Sequence, residues 1–161
     1  MSNRTPRQPT PEPRELQRLD QQLCFALYSG SLVMTKLYKP VLGALGLTYP
    51  QYLVLLVLWE TDALGVGELG ERLYLDSGTL TPLLKRMEAA GLVARARAVG
   101  DERRVIITLT AVGRALRRKA EGVPVQVACA TGCKLAELSD LTARLHALRA
   151  NLARKIASAS A

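Results

Sequence analysis

The residues of this sequence with the most distinctive chemistry are its three cysteines, Cys24, Cys129 and Cys133. Tyr28 follows Cys24 by one helical turn, and Tyr38 and Tyr49 lie further along. An odd number of thiols, with an N-terminus that lacks an apolar signal core, argues against a structural disulfide framework. We therefore expect a cytoplasmic protein in which each thiol is either a buried small hydrophobe or a reactive group.

A metal site is the first alternative use of these thiols. Cys129, Cys133 and His146, the single histidine, would supply three ligands. A C-x3-C pair with one histidine lacks a convincing fourth ligand for zinc. We therefore expect no metal, and no other cofactor is indicated.

The positive charge of the chain is concentrated in one window. The net charge is +8, and residues 85–119 carry 10 basic and 3 acidic side chains, for a local charge of +7. Such a concentration favours a polyanionic partner, because neutralising phosphates releases counterions. Charge alone leaves open a solvated basic face without a partner. No apolar run reaches the roughly 18 residues of a membrane span, so no membrane partner is expected.

Hydrophobic spacing predicts the elements that hold these residues. Polar tails are expected to be disordered at 1–14 and 158–161. A first helix is predicted from about Glu15 to Leu37. Leu37 to Gly46 is predicted to form a bend or a short turn, because the segment contains Pro40, Gly43 and Gly46. Thr48 and Gln51 then form a capping-box pattern before an apolar, buried helix. A short third helix is predicted from Val66 to Leu73.

The fourth helix carries a clear apolar stripe, formed by Leu80, Leu83, Leu84 and Met87. Asp76, Ser77 and Thr79 are alternative caps for this helix, and Gly91 is its predicted end. With Asp76 as the cap, Pro82 would lie inside the helix and kink it. With Thr79 as the cap, Pro82 would fall in the first turn and cost little.

The spacing then changes to that of a β-hairpin. Strands are predicted over Leu92 to Val99 and Val105 to Leu109, joined by a charged turn from Gly100 to Arg104. Thr110 is predicted to cap a fifth helix that bends near Pro124. A sixth helix, beginning near Ser139, carries a seam that is close to a heptad repeat: Leu138, Leu141, Leu145, Leu148, Leu152 and Ile156. This seam favours a dimer interface over packing on the chain's own core.

Helix, turn, helix and basic hairpin in this order predict a mainly α fold with a small β-hairpin wing, a winged helix-turn-helix. In such a module the second helix enters the major groove of duplex DNA. The polar face opposite the apolar stripe would approach the bases and phosphates: Ser77, Gly78, Thr79, Thr81, Pro82, Lys85 and Arg86. At the hairpin tip, Arg103 and Arg104 suit phosphate or minor-groove contact, and Asp101 could brace an arginine.

These segments resemble the MarR-type transcriptional regulators. DSGTLTPLLKRME at 76–88 looks like their recognition helix, GDERR at 100–104 resembles their wing tip, and LTAVG at 109–113 resembles the start of their following helix. The resemblance implies a homodimer that reads a pseudo-palindromic duplex DNA operator. It also implies one domain over 15–157, with a DNA-binding lobe at about 48–110 and dimerisation helices at 15–47 and 111–157.

The N-terminal segment is similar, more narrowly, to the organic hydroperoxide resistance repressors of that family. LDQQLCFALY at 19–28, YKP at 38–40 and LTYPQY at 47–52 carry the similarity. It implies that organic hydroperoxides oxidise Cys24 to a sulfenic acid, which a second thiol resolves to a disulfide. It also implies that Tyr38 and Tyr49 contact Cys24 from the other subunit. The partner's resolving thiol matches Cys129 best, with Cys133 as the alternative.

Two other functions remain open from the sequence. One is a MarR-type repressor released by a small phenolic ligand without thiol chemistry. The other is a thiol peroxidase, for which the basic window at 85–119 would have no role. We therefore expect a regulator that is not an enzyme.

Overall fold

The computed structural model describes residues 14–98 and 100–159, with Glu102 described through its backbone alone. Two 3-10 turns, Glu15–Gln17 and Leu19–Gln21, come first. The helices and strands that follow are α1 (Leu23–Gly43), α2 (Tyr49–Glu60), β1 (Leu64–Gly65), α3 (Val66–Leu73), α4 (Ser77–Ala89), β2 (Val93–Ala98), β3 (Asp101–Leu109), α5 (Ala111–Ala120), α6 (Val123–Ala130) and α7 (Leu135–Ala159). The predicted fold class, mainly α with a small hairpin, is confirmed.

Contacts along the chain define two compact units, one ending at Leu37 and the other beginning at Tyr38. The predicted tail at 1–14 lies outside the described residues except for Arg14, and so do residues 160 and 161. Ser158 and Ala159 are helical and belong to α7. Within the described ranges, no helix is both long and apolar enough to cross a membrane.

The first helix begins later and ends later than its spacing predicts. It starts at Leu23 and continues through Pro40 to Gly43, so the predicted bend from Leu37 to Gly46 is wrong over most of its length. The residue that explains the continuation is Leu42, whose side chain is fully buried. Burial of this leucine offsets the hydrogen bond that Pro40 cannot donate. After the helix, Gly46 adopts a φ of +69°, and the Leu47 amide donates to the Leu42 carbonyl at 3.0 Å.

Helices α2, α3 and α4 enclose the aliphatic core beside the sheet. Gln51 accepts the Thr48 amide at 2.9 Å, which confirms the predicted start of α2. Among the described side chains, the largest fully buried ones come from α2, α3, α4 and the sheet: Val54, Leu55, Leu58, Leu69, Leu80, Leu84, Met87, Val93 and Ile107, with Leu42 of α1. The buried stripe of α4 predicted from spacing is confirmed.

The sheet is antiparallel and has the strand order β1-β3-β2. The predicted hairpin is confirmed, but the predicted turn from Gly100 to Arg104 is wrong for all residues except Gly100. Asp101 already pairs with Ala98, and an irregularity between Arg97 and Ala98 absorbs the difference in strand length. Gly100 has a φ of +89°, a conformation that favours glycine at the hairpin tip.

The C-terminal region has one more helix than the sequence predicts. Pro124 lies in the first turn of a separate helix, α6, rather than at a bend in α5, because proline is compatible with a helix start. The last helix begins at Leu135 instead of Ser139. None of its residues is buried, and the predicted seam includes Leu141, Leu152 and Ile156, with exposures of 54%, 53% and 67%.

A junction of close contacts joins the hairpin to α5. Thr110 caps α5 by accepting the Gly113 amide at 3.1 Å, and its hydroxyl donates to the Gly91 carbonyl at 2.6 Å. The indole of Trp59 donates to the Gly113 carbonyl at 3.0 Å. A Cβ at Gly113 would lie 2.1 Å from the Leu92 carbonyl oxygen, so only glycine fits there.

Asp62 reinforces the same junction from the end of α2. Its carboxylate accepts the Leu109 and Ala63 amides, each at 2.8 Å, and pairs with Arg114. Partial burial acts to raise the pKa of Asp62, but the two amides and the guanidinium outweigh it and lower that pKa below its usual value of 3.8. Because this carboxylate stays ionised at neutral pH, it holds β3 and α5 together.

Replacing Gly113 with alanine is expected to destabilise the protein by about 3 kcal/mol, because the new Cβ must displace the Leu92 backbone. Urea unfolding measures this loss as a lower midpoint. The control is Gly67→Ala in α3, where an added Cβ meets nothing within 4 Å. That change should raise stability by about 0.5–1 kcal/mol. Equal urea midpoints for G113A and the unmodified protein would contradict the claim that the packing of position 113 against Leu92 requires glycine.

Candidate nucleic-acid interface and thiol site

Helix α4 presents a polar face to solvent because its other face is committed to the core. Asp76 is its N-cap and accepts the Thr79 amide at 2.8 Å and the Thr79 hydroxyl at 3.0 Å. The hydrogen bond from the Thr79 amide, and to a smaller extent the bond from its hydroxyl, lower the pKa of Asp76 below its usual value of 3.8. Of the three possible caps, the structure therefore selects Asp76, and Pro82 lies inside the helix.

The residues predicted to face DNA lie together on this helix. All but one are exposed: Ser77, Gly78, Thr79, Pro82, Lys85 and Arg86. Thr81 is partly buried. Among the described residues, neither Lys85 nor Arg86 has an ion pair, so both cations are available to an anionic partner.

The two arginines of the wing differ in their partners. The Asp101 carboxylate accepts the backbone amide of Arg103 at 3.0 Å, so it braces the strand rather than a guanidinium. Arg103 is exposed, and its guanidinium has no ion pair within the described ranges. Arg104 is 3.7 Å from the carboxylate of Glu68, which also accepts the Gly65 amide at 2.8 Å. Arg104 therefore anchors the wing to α3.

Arg95 is a structural contributor that sequence reasoning missed. It lies on β2, and its guanidinium pairs at 3.4 Å with Glu88 near the end of α4. Its side chain is only 22% exposed, so this pair holds the hairpin against α4 more firmly than a fully exposed pair would. In the sequence, Arg95 and Arg97 alternate with alanines, a pattern that indicates a strand face but gives no signal for a partner in α4.

All three cysteine thiols are free and exposed in the described chain. Cys24 is the second residue of α1, and Cys129 lies in the last turn of α6. Cys133 lies between α6 and α7, where its thiol donates to the Thr131 carbonyl at 3.7 Å. Within the described part of the chain, no three His, Cys, Asp or Glu residues are placed to hold a metal ion.

The rings of Tyr38 and Tyr49 pack against one another at a tilt of 40°, although they come from different helices. Their ring centroids are 4.6 Å apart, and Tyr52, which the sequence motifs did not assign to the site, lies 6.1 Å from Tyr38. Burial, and for Tyr38 the neighbouring tyrosines, raise the pKa of both Tyr38 and Tyr49 above 10.0. Both phenols are therefore protonated donors at neutral pH. Tyr28 is 64% exposed on α1.

Comparison with known proteins decides the family. Residues 36–119 match the family model described as Transcriptional regulator SarA/Rot. The chain is 49% identical, over 86% of its length and 94% of the relative, to the Organic hydroperoxide resistance transcriptional regulator of Bacillus subtilis. This chain is a MarR-type transcriptional regulator. It belongs to the organic hydroperoxide resistance branch of the MarR family, as the sequence motifs predict.

Two solved structures of AbfR, a Staphylococcus epidermidis protein, are also similar to this MarR-type chain. Reduced AbfR bound to DNA matches with a TM-score of 0.75 at 36% identity, covering 89% of this chain and 98% of that one. Disulfide-formed AbfR matches with a TM-score of 0.56 at 38% identity, covering 84% and 95%. The TM-score is thus higher for the reduced, DNA-bound structure of AbfR than for its disulfide-formed structure.

The tyrosine cluster predicts how stability changes at alkaline pH. The folded protein holds the protons of Tyr38 and Tyr49 more tightly than the unfolded chain, so their stabilising contribution is present below pH 10.0 and is lost as the pH rises through their folded pKa values. Guanidinium unfolding between pH 8 and 11 should show this decline. The double variant Tyr38→Phe, Tyr49→Phe should show a shallower decline, and an unchanged decline would contradict the raised pKa values.

Proposed function

We propose that this chain is a homodimeric repressor that binds a pseudo-palindromic DNA operator and releases it when an organic hydroperoxide oxidises Cys24. The observation that carries the proposal is the exposure of the Cys24 thiol in a regulator whose recognition helix and wing direct unpaired cations to solvent. DNA binding is the output of this mechanism, and thiol oxidation is the input.

The DNA-binding surface consists of the exposed face of α4 and the wing. The small residues Ser77 and Gly78 allow close approach of the helix N-terminus to the bases, with Thr79, Thr81 and Pro82 beside them. Lys85, Arg86 and Arg103 supply positive charge for phosphates or guanine edges. Arg104 and Asp101 keep the wing in place through Glu68 and the Arg103 amide. The DNA-bound structure of AbfR supports this assignment.

A second copy of the chain covers the apolar faces that one copy leaves exposed. Helix α7 exposes Leu135 at 75% and Ile156 at 67%, and the segment before Tyr38 exposes Leu19 and Val33 at 61% and 65%. Exposed apolar area of this extent is typical of an interface with another protein. We assign 15–47 and 111–157 to dimerisation, and 48–110 to the DNA-binding lobe of a single domain.

The redox step begins at the Cys24 thiolate. Its sulfur attacks the peroxide O–O bond of an organic hydroperoxide, which yields a sulfenic acid on Cys24 and an alcohol. Phenolic hydrogens of Tyr38 and Tyr49, supplied by the partner subunit, donate to the thiolate and to the departing oxygen. The thiol of Cys129 in the partner subunit then displaces water from the sulfenic acid and forms a disulfide.

Cys129 suits the resolving role better than Cys133. Cys129 is exposed, and its thiol has no hydrogen-bond partner within the described ranges, whereas the thiol of Cys133 donates to Thr131. A disulfide demands Cα atoms about 4.4–6.8 Å apart, so bonding would constrain the helices that carry the two thiols. The lower similarity of this chain to disulfide-formed AbfR supports a change of conformation in the oxidised state.

Removing Arg103 tests the DNA-binding half of the proposal. With a duplex that the unmodified protein selects from a random library, Arg103→Ala should weaken binding and lower the salt slope by about 1, because one phosphate contact is lost. Fluorescence anisotropy at several salt concentrations measures both quantities. The matched control is Arg118→Ala, an exposed cation on α5 outside the proposed surface. An equal effect of the two variants would indicate general electrostatics rather than a wing contact.

Replacing Cys24 tests the redox half. Cumene hydroperoxide should release DNA from the unmodified protein and produce, on a non-reducing gel, a species of twice the 17.5 kDa chain mass. Cys24→Ser should bind DNA normally but show neither release nor cross-link, because it lacks the oxidisable sulfur.

The two remaining thiols provide matched variants. Cys129→Ser should lose the cross-link, and Cys133→Ser should keep it. The reverse result would assign the resolving role to Cys133. Normal release of Cys24→Ser by hydroperoxide would refute the thiol mechanism and favour a repressor that a phenolic ligand releases without covalent chemistry.

A further inference from the structure

Tyr74 has an unusual backbone for an aromatic residue. It ends α3 with φ 56° and ψ 38°, in the left-handed region where glycine is the usual residue at a helix end. Among the described residues, only Ala63 and Tyr74 are non-glycine residues with positive φ. The ring is 65% exposed, so burial does not explain why a tyrosine occupies this position.

A contact with the last helix does explain it. The guanidinium carbon of Arg149, on α7, lies 4.2 Å from the centroid of the Tyr74 ring. This is the geometry of a cation–π interaction. No described residue of α7 is buried, and this contact attaches α7 to the helix-turn-helix. Arg149 adjoins the seam residues Leu145, Leu148 and Leu152 of the same helix.

The turn that contains Tyr74 is tightly built and leads directly to α4. The Leu75 amide donates to the Gly70 carbonyl at 3.0 Å, and a Cβ at Gly70 would lie 2.7 Å from the Leu75 carbonyl oxygen. Asp76 then caps α4, only two residues after Tyr74. Because this turn is short and tightly bonded, the backbone of Tyr74 is closely coupled to the N-terminus of α4.

We propose that Tyr74 and Arg149 are positioning residues through which α7 sets the orientation of the recognition helix α4. The pair connects the helix that carries the dimerisation seam to the helix proposed to read DNA. The effect of the pair on DNA binding rests on the proposed function, whereas the coupling of α7 to α4 does not. A movement of α7 on oxidation would then change the orientation of α4 through the contact between Arg149 and Tyr74, and not through the wing.

Hydrogen exchange tests the coupling of α7 to α4 in the full-length protein without DNA. Arg149→Gln removes the cation, so the amides of residues 75–81 should exchange severalfold faster than in the unmodified protein. Arg149→Lys and Tyr74→Phe keep a cation and a ring, and both should exchange as the unmodified protein does. Unchanged exchange in Arg149→Gln would overturn the proposal.

Glycine at position 74 separates backbone strain from the ring contact. Tyr74→Gly relieves the positive φ, so the urea midpoint should not fall, yet affinity for the selected duplex should drop by about threefold to fivefold. The matched control is Ala63→Gly, which relieves a φ of 60° away from Arg149 and should leave the affinity unchanged. Unchanged affinity in Tyr74→Gly would overturn the positioning role.

The double variant and the salt slope decide how the pair acts. Tyr74→Gly and Arg149→Gln should weaken binding no more together than either does alone, because both remove one contact. Their salt slopes should equal that of the unmodified protein, and a slope lower by about 1 for Arg149→Gln would reveal a phosphate contact and overturn the proposal. If the unmodified protein selects no duplex, the proposed function fails, while the exchange experiment still decides whether α7 positions α4.

Discussion

The approach of Gly113 to the Leu92 carbonyl is the constraint on which the arrangement of the wing depends. Any side chain at position 113 would separate β2 from the start of α5. The Thr110 hydroxyl, the Trp59 indole and the Asp62 carboxylate all bond to backbone groups within this junction. As a result, the hairpin leaves the core at a defined angle, and α5 continues from it without a flexible loop. The position of Arg103 in space is a consequence of this packing.

The same core sets the exposed face of α4. Leu80, Leu83, Leu84 and Met87 are buried, so the helix cannot rotate without exposing them. Arg95 and Glu88 connect the wing to this helix, and Arg104 and Glu68 connect it to α3. These two ion pairs join the hairpin to both α3 and α4.

The thiols lie in a very different environment from the core. All three are exposed, as are most large apolar residues before Tyr38 and many on α7. Within one copy of the chain, α2, α3, α4 and the sheet therefore enclose a core, whereas the thiols stay exposed. If a second copy covers these exposed residues, oxidation takes place at the interface between the two copies. The contact between Tyr74 and Arg149 then provides a physical route from that region to α4.

Interactions between residues close in sequence determined many of the helices and strands of this protein. The capping pair Thr48 and Gln51, the apolar stripe of α4, the hairpin and its glycine tip all depend on neighbours within a few residues. The motifs at 76–88, 100–104 and 19–28 likewise identify the family through short runs of residue types alone.

Tertiary packing decided the rest. Burial of Leu42 allowed α1 to continue through Pro40, and Arg104 of the hairpin pairs with Glu68 of α3. Trp59 bonds to a carbonyl 54 residues away, and Arg149 covers the tyrosine that follows α3. Such pairs leave no periodic signal in the sequence, because they depend on the distance between elements that only the folded chain brings together.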